Sequence, residues 1–356
     1  MAKKEQRQKP IHLALQGGGA HGAFTWGVLD YILEDGRLKL EAISGTSAGA
    51  LNAAALANDY ARGDIDAARE TLHNLWHAMS VHGVYSPYNF SGAFQAAEQW
   101  GHMLSWFFPV FAFTSPYQNN PFNIHFLKDL LANNINFDEL NHNCAGVRLF
   151  VSATNVLNNK LRIFTNEELS VDVLLASSCL PKIHRAVEVD GDHFWDGGYM
   201  GNPALEPLAR DHAADDILIV QVNPLHIDHV PTSPLEISER METVAFNSSL
   251  AREIRHIAQI ERLIEAGELN EHSAYGKHLH LLHAEKEMAK YSTFTKYDTS
   301  WPFLIKLRDL GRETAKVWLE EHYESIGQKD TLNLQEWEPV YHQPNCQLLY
   351  PNSDQP

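Results

Sequence analysis

A serine between two glycines is the feature of this chain whose residue types and spacing best suit covalent chemistry. It lies in the segment Gly45-Thr46-Ser47-Ala48-Gly49, a Gly-x-Ser-x-Gly pentapeptide. Where such a segment joins a strand to a helix, the serine lies on a sharp turn, and the glycines remove Cβ atoms that would clash there. The hydroxyl then projects toward a substrate carbonyl, which is the arrangement that acyl transfer needs.

Two other glycine-rich segments complete a set that can catalyse such a reaction. Gly17-Gly18-Gly19-Ala20-His21-Gly22 precedes the serine, and Asp196-Gly197-Gly198 follows an aromatic strand end. Backbone N–H groups of a glycine loop can stabilise the negative charge that forms on a carbonyl oxygen. A serine hydroxyl is a poor nucleophile without a neighbouring base, and Asp196 is the best candidate for that base.

These three segments, in this order, resemble the patatin-like phospholipase family, and the resemblance extends from Ile11 to about Val222. In that family a serine and an aspartate act as a catalytic dyad without histidine, and the glycine loop forms the oxyanion hole. The resemblance implies a serine acyl hydrolase that cleaves phospholipid or lysophospholipid esters without metal or cofactor. It implies Ser47 as the nucleophile and Asp196 as the base. The predicted oxyanion donors and supporting motif residues are Gly17, Gly18 and Gly19, and His21, Gly22, Gly45, Gly49, Gly197 and Gly198.

The glycine loop departs from the family pattern at one position. The family commonly has Arg or Lys just before the last glycine of the loop, where this chain has His21. Two interpretations follow. Either a partly protonated His21 replaces the basic residue, or the preference for anionic substrates is weaker.

Other functions compete with this interpretation. Gly17, Gly19 and Gly22 also fit the dinucleotide-binding pattern G-x-G-x-x-G, but the second predicted strand ends without the acidic residue that binds the ribose. An ordinary α/β-hydrolase with a Ser-Asp-His triad is another alternative, although Ser47 follows only the second predicted strand. A third is a catalytically idle protein with the same fold.

The composition of the chain limits its possible partners and its cellular location. The net charge of −17 among 356 residues argues against a nucleic-acid partner, which would need clustered Lys and Arg. The three cysteines form no disulfide pattern, and no signal segment or span of about 18 apolar residues is present. We therefore expect a cytoplasmic enzyme. The same net charge argues against a broad anionic-membrane surface, so we expect contact with a membrane surface to be at most transient. The aromatic segment 106–113 is either an acyl-pocket lid or core packing.

Apolar patterning predicts the elements that position these segments. Short apolar runs predict five strands, and helical spacing follows the first two of them, which implies a mainly parallel sheet in a three-layer α/β/α fold. The predicted strands are 11–16, 41–44, 147–152, 161–164 and 217–222. We expect a disordered tail over 1–9, a catalytic core over 10–225, a helical region packed on it over 226–338, and an irregular tail over 339–356.

Overall fold

A mixed sheet of eight strands forms the centre of the protein. The computed structural model describes residues 8–83, 115–120, 126–142, 146–269 and 276–337. The strands are β1 (Lys9–Leu15), β2 (Leu38–Thr46), β3 (Arg148–Asn155), β4 (Leu161–Thr165), β5 (Val187–Val189), β6 (Asp192–Asp196), β7 (Asp216–Gln221) and β8 (His278–His283). The helices are α1 (Gly22–Asp35), α2 (Ala48–Ala61), α3 (Ile65–Gly83), α4 (Pro116–Asn119), α5 (Phe126–Asn134), α6 (Phe137–His142), α7 (Val171–Ser177), α8 (Glu206–Ala209), α9 (Pro234–Glu265), α10 (Glu285–Met288) and α11 (Trp301–His322).

The sheet has a parallel part and an antiparallel extension. Strands β3, β2, β1, β7 and β8 lie side by side in that order and run parallel. Both β4 and β6 pair antiparallel with β3, and β5 pairs antiparallel with β6. The carboxyl ends of β1 and β2 therefore lie at one edge of the sheet, where the segments with predicted chemistry begin.

Helices cover both faces of this sheet, because successive strand residues point to opposite sides. On β1, Leu13 and Leu15 pack in a core shared with α1, α2, α3 and α11. Ala14 points the other way, into a smaller core with α8 and the middle of α9. The three-layer α/β/α prediction is confirmed.

The five predicted strands are all present, with bounds shifted by up to three residues. Strand β1 begins at Lys9, the last residue of the predicted N-terminal tail. Its Nζ donates to the carbonyl oxygens of Tyr323 and Ile326 at 2.8 and 3.0 Å. The segment 106–113 and the tail 339–356 lie outside the described residues.

The region 226–338 is not only helical. Its long helix α9 begins at a capping box, in which Ser233 Oγ accepts the N–H of Glu236 and the Glu236 carboxylate accepts the N–H of Ser233. The same region contributes β8 to the sheet through parallel pairing with β7. In the described part of the chain, no helix is both long and apolar enough to span a bilayer.

Candidate active site

Ser47 and Asp196 meet at a junction of two strands on one side of β3. Strand β4 occupies the other side of β3 along residues 150–154, so β2 and β6 share the remaining side and approach it from opposite ends. Thr46, the last residue of β2, pairs with Ser152, and Asp196, the last residue of β6, pairs with the next residue, Ala153. The end of β2 and the end of β6 are therefore about one residue rise, 3.3 Å, apart along β3.

The backbone at Ser47 turns sharply between β2 and α2. Its φ of 54° and ψ of −125° lie outside the regions that a side chain prefers, as expected of a strained nucleophile elbow. The Ser47 N–H donates to Ser177 Oγ at 2.9 Å, and its carbonyl accepts the N–H of Leu51 in the first turn of α2. The hydroxyl is consequently held at the amino end of a helix, where the helix dipole favours negative charge.

Asp196 is fully buried, and burial raises the pKa of its carboxyl to about 7. Oδ1 accepts the N–H of Gly198 at 2.7 Å, and this hydrogen bond and the Ser47 hydroxyl act in the opposite direction on the pKa. Within the described residues Oδ2 has no hydrogen bond of standard geometry. Catalytic hydrogen bonds are often poorly aligned before substrate binds, so the free oxygen and the nearby hydroxyl suit a dyad that tightens on binding.

The glycine loop lies beside the nucleophile and is held by two buried asparagines. A Cβ placed on Gly17 would lie 2.8 Å from the Cβ of Ser47. The Gly17 N–H donates to Asn202 Oδ1 at 2.7 Å, and the Gly17 carbonyl accepts Asn223 Nδ2 at 2.7 Å. Because the Gly17 N–H already has an acceptor, this structure favours Gly17 least among the three predicted oxyanion donors.

The N–H of the next residue, Gly18, has no such acceptor among the described residues. Because the peptide bond is planar and trans, the N–H of Gly18 points away from the Gly17 carbonyl. No acceptor for it is found in the described part of the chain. Gly19 has a φ of 58°, a conformation that side chains rarely adopt. Gly18 and Gly19 remain the candidate donors.

His21 does not act as the cation that the family loop commonly carries. It is buried, and burial lowers its pKa to about 3, with the charge of Lys296 acting in the same direction. Its Nε2 forms a 2.6 Å hydrogen bond with Thr295 Oγ1. Of the two interpretations of His21, burial favours the one with a neutral imidazole and a weaker preference for anionic substrates.

The supporting glycines lie where backbone segments approach closely. Gly45 on β2 packs against the backbone of Ala50, and a Cβ on Gly49 would collide with the Leu15 carbonyl oxygen. Gly22 begins α1 against Ala48. Gly197 packs on the Ser152 carbonyl, and Gly198 lies against the ring of Phe246.

Several residues of the site carried no signal in the sequence. Ser177 holds the Ser47 backbone, and Cys179 accepts the N–H of Asp196 through its carbonyl at 2.8 Å. Asn202 and Asn223 fix the glycine loop. A buried asparagine near a proline resembles an ordinary turn residue, so only the packed structure distinguishes these positions.

The match to a family model agrees with the family that the sequence predicts. A crystal structure of VipD from Legionella pneumophila is similar at 15% identity and a TM-score of 0.36, covering 94% of this chain and 81% of that chain. No curated protein matches the chain. The family model for patatin-like phospholipases matches residues 13–209, a span that includes all three glycine-rich segments, and members of that family act on lipid esters. The chain therefore belongs to the patatin-like phospholipase family and is a lipid acyl hydrolase.

Proposed function

We propose that the enzyme cleaves carboxylic esters of phospholipids or lysophospholipids through a dyad of Ser47 and Asp196. The observation that carries this proposal is the pairing of Thr46 and Asp196 with neighbouring residues of β3. It supports direct transfer of a proton from the serine hydroxyl to the carboxylate. The raised pKa of Asp196, about 7, is close to the value at which a general base works best in neutral solution.

The reaction proceeds in two steps in this proposal. Ser47 Oγ bonds to the acyl carbon, its proton passes to Asp196, and the carbonyl electrons move to the oxygen. The N–H groups of Gly18 and Gly19 stabilise that oxygen, each by about 3–4 kcal/mol. When the tetrahedral intermediate collapses, the leaving alcohol takes the proton from Asp196. The carboxylate then activates water, which hydrolyses the acyl-enzyme.

Labelling with a fluorophosphonate probe and hydrolysis of a short nitrophenyl ester test the two roles. Ser47→Ala should remove both signals, whereas Ser44→Ala, which deletes a buried hydroxyl on the strand that precedes Ser47, should retain them. Asp196→Asn should abolish turnover, and Asp192→Asn, an exposed change on the same strand, should not. Ester hydrolysis that persists in a folded Ser47→Ala or Asp196→Asn variant would refute the proposal.

The Ser-Asp-His triad remains the alternative hypothesis. Among the described residues, Asp196 Oδ2 has no histidine partner, and the Nε2 of His21 bonds to Thr295. A folded His21→Gln variant that loses all esterase activity would favour the triad over the dyad. We also propose a cytoplasmic location, which the cysteine usage supports, since the buried Cys179 is a free thiol.

A further inference from the structure

A lysine from the C-terminal region approaches the candidate active site. The carbonyl oxygen of Lys296 lies 2.5 Å from where a Cβ on Gly19 would stand, so this segment packs directly on the glycine loop. Its Nζ lies 5.8 Å from the centroid of the Phe246 ring, and that ring packs on Gly198. Since Gly198 holds Asp196 through its N–H, one aromatic ring separates the ammonium group from the proposed base.

Carboxylates continue from this lysine along one face of α9. Glu239, Glu242 and Phe246 follow the spacing i, i+3 and i+7, which places them in one row. Glu239 Oε1 accepts the hydroxyl of Ser292 at 2.9 Å. The Glu242 side chain is 18% exposed, and its Oε2 lies 3.9 Å from Nζ of Lys182, whose side chain is 70% exposed, so a ligand ammonium would replace this lysine. Glu242 and Phe246 are about one helical turn, roughly 6 Å, apart along the axis. The row therefore presents negative charge at a short, fixed distance from the ring beneath Lys296.

Aromatic rings surround the carboxylate of this row. The rings of Tyr199 and Phe246 meet edge to face with centroids 5.1 Å apart. Burial raises the pKa of both Tyr199 and Tyr297, and the charge of Glu242 is the next cause of each shift. Glu242 precedes Phe246 by one helical turn, and Phe246 contacts Tyr199, so a carboxylate and aromatic rings are close together. That combination attracts organic ammonium groups.

We propose that Lys296, Glu242, Tyr199, Phe246 and Tyr297 form a head-group cluster that binds phospholipids whose head group carries both a phosphate and an ammonium. This inference rests on the proposed function. Lys296 Nζ, which has no hydrogen bond or ion pair among the described residues, donates to the phosphate. Glu242 and the rings take the ammonium at the far end of the head group.

The charges of the cluster explain this choice of substrate. A head group with negative charge alone would place that charge near Glu239 and Glu242, whereas a zwitterion matches both the lysine and the carboxylates. The cluster also provides the basic group that the glycine loop lacks, since buried His21 is neutral.

Hydrolysis of three lipids in the same neutral detergent micelles tests the inference. Phosphatidylcholine carries both charges, phosphatidylglycerol only the phosphate, and diacylglycerol neither. Lys296→Met should lower kcat/KM for both phospholipids by about ten- to a hundredfold, the loss expected for a charge-assisted hydrogen bond, and diacylglycerol much less. Glu242→Gln should lower kcat/KM for phosphatidylcholine relative to phosphatidylglycerol by about tenfold. The controls Lys316→Met and Glu313→Gln change exposed charges on α11 and should alter neither ratio.

Three outcomes would overturn the inference. Equal losses on all three lipids in Lys296→Met, with a displaced pH profile, would mean that Lys296 acts only on Asp196. An unchanged ratio of the two phospholipids in Glu242→Gln would remove the ammonium site. Failure of Lys296→Arg to recover activity in a folded protein would exclude a charge effect. In each case, Ser47-dependent hydrolysis of a short neutral ester would still support the proposed function. If the wild-type protein did not hydrolyse that ester, the proposed function would be rejected.

Discussion

Replacing Asp196 by asparagine should abolish activity and make the protein more stable at alkaline pH. The pKa of the carboxyl rises from 3.8 to about 7 on burial. The folded protein therefore binds a proton more tightly than the unfolded chain, and ionisation of Asp196 destabilises the fold as the pH rises from about 4 to 7. At 1.36 kcal/mol for each pKa unit, the full penalty is about 4 kcal/mol above pH 7. Asparagine keeps an oxygen that can accept the Gly198 N–H and does not ionise.

Urea unfolding of the two proteins at pH 5 and pH 8 measures this effect. The gain in unfolding free energy from Asp196→Asn should be larger at pH 8 than at pH 5 by about 3 kcal/mol, because most of the penalty develops between these values. Titrating groups that do not interact with Asp196, such as Glu253 with its raised pKa, contribute equally in both proteins and cancel in the difference. An equal gain at both pH values would show that Asp196 is not the buried, high-pKa carboxyl described above.

The remaining predictions concern catalysis and the residues that hold the site. Asp196 must be ionised to accept a proton, and its pKa is about 7. The value of kcat/KM for a neutral nitrophenyl ester should therefore rise with pH up to about 7 and then level off. A flat profile from pH 5 to 9 would exclude Asp196 as the base. Ser177→Ala leaves the buried Ser47 N–H without its acceptor and should lower the unfolding free energy by about 1–3 kcal/mol. Ser178→Ala removes a hydroxyl that has no partner among the described residues, and it should not lower the unfolding free energy. Similar urea midpoints for the two variants would contradict this prediction. Asn223→Ala releases the glycine loop and should lower kcat by about ten- to a hundredfold with a smaller change in KM, so a change confined to KM would show that the loop stabilises only the ground state.

Much of the fold could be predicted because its signals are local. The run Ile217 to Val222 is apolar throughout, as in a strand buried on both faces, and it corresponds to β7. Helix α9 lies in the region predicted to be helical, since helical periodicity over so long a segment is unambiguous. Each of the three glycine-rich segments ends a predicted strand, as their tight turns require.

The features that the sequence did not predict depend on contacts between residues far apart in the chain. Strand β8 alternates histidine and leucine, and its buried His280 bonds to Asp216 at 2.8 Å, so a polar residue occupies a core position where a sequence pattern predicts solvent. The acceptor of the Gly17 N–H could not be predicted either, because Asn202 is far from Gly17 in the chain. No pattern in either segment indicates that the two meet.

An aspartate can replace histidine as the base only where the fold removes it from water. Histidine titrates near neutrality without help, whereas an exposed aspartate is ionised but too weakly basic. At the junction of β2 and β6 the carboxylate is enclosed, and its backbone is fixed by Thr154 Oγ1, which donates to the Asp196 carbonyl at 2.9 Å, and by the Cys179 carbonyl. The single N–H of Gly198 stabilises the ionised form without restoring the low pKa that several such donors would produce. The basicity of Asp196 and the instability of its ionised form therefore have one cause, which is burial at a strand end that β3 holds beside the serine.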